Sequence, residues 1–129
     1  MLAKNTMIPN TTWIEDWHVG ENPKRERAVS TELIAIFTEF WNALGLDAKS
    51  KTTRNRYCSS LHAVGGYLVK QAISDKCADK TTRELLSEHI GPYDGPLIHH
   101  DEDAWQHEVD MVCRKLYKYL NSRCWRLLN

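Results

Sequence analysis

At 129 residues the chain, read as one domain over residues 1–129, is long enough to bury a core without disulfide or metal staples. Its 42% hydrophobic and 26% charged residues are ordinary for a globular protein, and six Gly with four Pro are too few for a loop-rich all-β fold. Seventeen basic residues balance seventeen acidic ones, which excludes coating of nucleic acid or anionic membrane by bulk charge and leaves only a local basic face.

Residues 1–11 show no periodicity and read as a loose arm. Thr12, with Glu15 three residues on, predicts a capped short helix whose Trp13, Ile14 and Trp17 form one apolar patch. Residues 20–29 are polar, contain Pro23 and read as a linker. A long helix is expected to start at Ser30 as N-cap. Leu33, Phe37, Phe40, Trp41 and Leu44 mark its buried face, and Gly45 stands where a left-handed residue would end it.

Ser50 or Thr52 opens a second long helix, striped by Tyr57, Leu61, Val64, Leu68 and Ala72. Gly65 and Gly66 interrupt it at a cost of about 1 kcal/mol each relative to Ala. That cost points to close packing by a neighbouring helix or Trp rather than to a break. Thr81 and Glu84 form a second capping-box pattern, opening a shorter helix that stops at Gly91 and Pro92. A turn-rich loop follows. The last helix starts after Asp101, buries Trp105, Val109, Val112, Leu116 and Leu120, and is expected to exceed 20 residues. These stripes predict an all-α fold: an antiparallel bundle of about four main helices with a short N-terminal helix packed across it.

None of Cys58, Cys77, Cys113 and Cys124 forms a C-x-x-C pair, so each reads as a small buried hydrophobe with a reduced thiol. No apolar run approaches the roughly 18 residues of a membrane span, and the N-terminus carries none of signal-peptide length. The expected setting is the cytoplasm, with no membrane partner.

Phe37, Phe40 and Trp41, the run from Ser50 through Lys51, Thr52, Thr53, Arg54, Asn55 and Arg56 to Tyr57, and then Leu61, Gly65, Tyr67 and Leu68 carry a partial likeness. Over residues 30–73 the chain resembles the N-terminal core-binding domain of tyrosine recombinases, the phage integrases. The resemblance implies a small helical bundle that grips DNA from one side. The recombinase catalytic domain has no room here, so strand transfer is not implied.

Four sets of residues carry candidate chemistry. Lys49, Lys51, Arg54 and Arg56 place four cations at a helix start, where free backbone N–H groups add positive potential for phosphates. Arg114, Lys115, Lys118, Arg123 and Arg126 complement the negative end of their own helix. His99, His100, Asp103 and His107 are the richest set of metal-ligand atoms, although no H-E-x-x-H pattern is present. Cys58 and His62 stand four apart, as a thiolate–imidazole pair would, with no third group in sight.

The leading expectation is a non-enzymatic module that needs no cofactor and docks nucleic acid through Lys49, Lys51, Arg54 and Arg56. The alternative is a protein-interaction or regulatory subunit, self-associating through Trp13 and Trp17. A metal-dependent hydrolase centred on His99, His100, Asp103 and His107 stands third.

Overall fold

The computed structural model describes residues 8–122. Residues 1–7, and Arg123, Cys124, Trp125 and Arg126 with the rest of the C-terminus, lie outside it. Among the described residues the protein is all-α: four helices of eight or more residues, one short helix, and no strand. We number them α1 (Trp13–Asp16), α2 (Pro23–Ala43), α3 (Lys51–Ala72), α4 (Thr82–His89) and α5 (Asp103–Leu120).

Of the arm expected over residues 1–11, residues 8–11 are described, and they are tied to α1. Pro9 is buried, and the Asn10 side chain accepts a 2.9 Å hydrogen bond from the Thr12 amide. Asn10 thereby does what Thr12 was expected to do, and the Thr12 side chain makes no cap bond of its own.

Residues 20–29 are not a linker. Helix α2 starts seven residues before Ser30, with Pro23 in its first turn and the Asn22 side chain accepting from the Arg25 amide. Proline suits that first turn because its missing N–H would have no helical partner there. Ser30 is buried inside the helix, one residue after buried Val29. The polar look of this stretch came from its inward face, which carries Glu26 where an apolar residue would extend the stripe.

Glu26 is buried to 2% exposure and receives four consecutive backbone amides. Val19 N–H donates at 2.7 Å, Gly20 at 3.1 Å, Glu21 at 3.0 Å and Asn22 at 2.9 Å. Gly20 has φ +96°, the left-handed region that lets successive amides turn toward one anion. Burial alone would raise this carboxyl's pKa, but the amides from Asn22, Val19, Gly20 and Glu21 outweigh it and hold the value at about 2.

Helices α2 and α3 run antiparallel. Phe40 meets Tyr57 at one end, and at the other the Arg25 guanidinium donates to the carbonyls of Ala72 (3.1 Å), Cys77 (3.0 Å) and Lys80 (2.7 Å). Gly45, at φ +63°, follows the C-cap Leu44 and turns the chain out of α2. Helix α1 lies across the pair. The Trp17 indole sits against Gly65 and Gly66, its N–H donating to the His62 carbonyl at 2.9 Å. The glycine pair does have its packing reason. At α4 the expected capping box is complete, Thr81 and Glu84 each bonding the other's backbone amide. One cluster of buried residues takes side chains from all five helices.

Residues 91–100 form a strap along α5. Gly95 lies so close to Cys113 that a β-carbon would stand 2.3 Å from its sulfur. Gln106 holds the strap: its Oε1 accepts from the amides of Ile98 and His99, and its Nε2 donates to the Pro96 carbonyl, each at 2.9 Å. The last helix is shorter than expected, 18 residues, and begins two residues after Asp101. Trp105 leaves the core altogether at 58% exposure.

Candidate functional site

The basic cluster sits at the first turns of α3. Ser50 is the N-cap and accepts from the Thr53 amide at 3.2 Å, and no acid stands in the first turn. Lys49 and Lys51 are exposed. Arg54 folds back and donates to the Lys49 carbonyl at 2.6 Å, so it braces the cap. Arg56 leans the other way and meets Glu108 of α5 at 3.5 Å. Both partners of that pair are solvent-accessible, so it is weak and open to exchange for another anion.

A cavity of about 310 Å3 lies between α3 and α5, and Arg56 approaches it through its Glu108 partner. Ser59, Ser60, Ala63, Glu108 and Val109 line it. Trp105 and His99 close one side, their rings edge to face at 5.4 Å. Lys115, exposed, is seven residues from Glu108 and so shares its stripe on α5, two turns along. A wider groove of about 770 Å3 lies between α4 and the end of α5. Glu84, Glu88 and Arg83 edge it, and Lys80 already holds the Glu88 carboxylate.

No family model, curated protein or solved structure matches the chain.

The other expected site residues are not brought together. Trp13 and Trp17 are each 4% exposed, because α1 folds their indoles onto α3. They are core, and an interface built on them would require α1 to detach. His62 meets Asp16 at 2.9 Å and the Trp13 ring edge-on at 5.1 Å, so it serves as an anchor for α1 rather than a partner for Cys58. Burial pushes the Cys58 thiol up to about 11 and the Cys113 thiol up to about 12, far from nucleophilic thiolates.

Among the described residues no group of three or more His, Cys, Asp or Glu side chains converges to hold a metal ion. His99 turns onto Trp105 instead, while His100, Asp103 and His107 stand exposed. Arg114 donates to the Tyr93 carbonyl of the strap, and Lys118 lies in the last turn of α5 as the macrodipole favours. Also among the described residues, no helix is long and apolar enough to cross a membrane.

The cleft beside Arg56 was missed at the sequence level. Trp105 fits the i, i+4 spacing of a buried stripe, and nothing in that spacing reveals that the strap and α3 leave it uncovered.

Proposed function

We propose that this chain is a non-enzymatic helical binding module that docks on nucleic acid through its phosphates at the start of α3, in a cytoplasmic setting. The carrying observation is the exposed pair Lys49 and Lys51 at the acid-free first turn of a 22-residue helix, with Arg56 one turn further along the cleft. Charge-assisted bonds to phosphate and the unpaired amides of the helix start act on the same anion. The resemblance of residues 30–73 to recombinase core-binding domains supports the reading. So does Lys115, which extends positive charge to α5 on the far side of the cleft. Arg54 acts here by holding the cap.

Binding of a labelled oligonucleotide, followed by anisotropy from low to high salt, tests the proposal. Affinity falls steeply with salt, and Lys49→Ala with Lys51→Ala lowers the slope by about one unit per lost phosphate contact. Absence of binding at low salt overturns it.

A second reading, a protein partner, draws on Tyr93 and Leu97, which expose 79% and 60% of their surface on the strap. Self-association that persists in high salt and is lost on Tyr93→Ser would favour it.

A further inference from the structure

The cleft between α3 and α5 has three properties that phosphate docking alone does not call for. It exposes more than half of an indole, Trp105, on a helix rather than a loop. It fixes that indole: the His99 ring meets it edge to face at 5.4 Å, and the His99 backbone is itself held by Gln106. It leaves about 310 Å3 beside the indole, with the Ser59 hydroxyl and the Glu108 carboxylate at hand. An aromatic ring held in place beside a ring-sized space can serve as a stacking platform. A hydroxyl and a carboxylate next to it suit the edge of a nitrogen heterocycle, whose ring N–H and amino groups donate and whose ring nitrogens accept.

The position relative to the cations narrows the ligand further. Arg56 is one helical turn from Ser59 and 3.5 Å from Glu108, so a guanidinium stands at the mouth of the cleft. Lys51 and Lys49 lie beyond it toward the start of α3. A ligand that fills the cleft with a planar ring and runs its anionic groups toward Arg56 matches this layout. A free heterocycle would leave the cations unused. A duplex would keep its bases stacked inside and leave the indole unused.

We infer that the Trp105 cleft is a stacking subsite for an unpaired nucleobase of a single strand whose neighbouring phosphates lie on Arg56, Lys51 and Lys49. The inference rests on the phosphate-docking reading above and adds the strandedness of the ligand. Stacking of a base on an aromatic side chain is tolerant of sequence and strong enough to shift affinity by an order of magnitude. Strandedness then follows from geometry, since the cleft accepts a base only where no partner strand holds it.

The test uses the full chain and two fluorescein-labelled twelve-nucleotide probes of equal charge, oligo(dC) and an abasic strand. The wild-type protein binds oligo(dC) about ten-fold more tightly than the abasic strand. Trp105→Ala removes that difference and leaves abasic binding unchanged, while Trp105→Phe keeps most of it. The side chain is exposed, so these variants keep their fold, and circular dichroism verifies this. Equal binding of the two probes by the wild type, or a Trp105→Ala variant that still prefers oligo(dC), overturns the subsite. If in those cases Lys49→Ala and Lys51→Ala still weaken both probes, phosphate docking survives alone. If neither probe binds at low salt, both readings fall.

Discussion

The six-membered ring of Trp17 occupies the space where a β-carbon on Gly65 would stand, 2.1 Å from the indole Cζ2. Two effects therefore oppose each other in Gly65→Ala. Helix propensity gains about 1 kcal/mol. The methyl group collides with a rigid buried ring that already donates its N–H to His62, and such overpacking costs about 1–3 kcal/mol. At 2.1 Å the overlap belongs at the upper end of that range, so the collision wins and the variant is destabilised by about 1–2 kcal/mol in urea titration. At Gly66 the nearest atom, Trp17 Cδ1, is 3.2 Å away, so a methyl group presses on the same ring by only a few tenths of an ångström, which offsets the gain in helix propensity. Gly66→Ala is accordingly neutral within about 0.5 kcal/mol.

Glu26→Gln keeps the shape of the side chain and removes its charge. Four backbone amides then face a neutral group, one end of which is itself a donor. A loss of about 2 kcal/mol is expected from the weakened charged hydrogen bonds. The pH dependence has a fixed sign. The folded carboxyl has a pKa of about 2, against about 4.3 for an unfolded Glu. Its contribution is complete above pH 4.3 and disappears as the pH falls toward 2. Urea midpoints measured between pH 6 and 2.5 should drop less for Glu26→Gln than for the wild type. Parallel curves would remove Glu26 from the acid response.

Arg25 binds three carbonyls from two connected segments, the end of α3 and the turn before α4. Lys cannot reproduce the fork, because its three donors radiate from one nitrogen. Arg25→Lys costs about 1–2 kcal/mol. Hydrogen exchange at the last turn of α3 and around Cys77 should rise before exchange elsewhere. A uniform rise across the chain would argue against this local role.

Cys58 and Cys113 are held protonated by burial, so alkylation at pH 8 must wait for unfolding. Iodoacetamide labelling followed by mass spectrometry should mark these two sites in 6 M urea and leave them largely unmodified in buffer. Fast labelling of Cys58 in the folded protein would restore it as a candidate nucleophile.

Much of the fold was legible because apolar spacing and capping chemistry act locally. The stripe from Tyr57 to Ala72, the Thr81–Glu84 box and the left-handed Gly45 all depend on residues a few positions apart. Even Gly65 and Gly66 could be read, since their helix penalty demanded a compensating contact. What escaped depends on partners far along the chain. Glu26 is acceptable on a buried face only because residues 19–22 turn their amides inward. Trp17 reads in the sequence either as cover for the bundle or as an interface anchor, because the residues it packs on, Gly65 and His62, lie more than forty positions away. Trp105 is the reverse case, its spacing implying a neighbour that the bundle does not supply. The basic start of α3 was visible as charge, but the splitting of its four cations between cap, ion pair and solvent was not.

The strap over α5 owes its order to side-chain bonds, and so to a different kind of cooperativity from a helix. A helix unravels turn by turn from an end. Here Gln106 bonds Pro96, Ile98 and His99 together, and Asp110, which accepts from both Gln106 and Gly95, extends the set. Replacing the Gln106 amide removes its bonds to Pro96, Ile98 and His99 at one stroke, and so loosens the histidine that fixes the Trp105 ring, although neither Gln106 nor Asp110 lines that cleft.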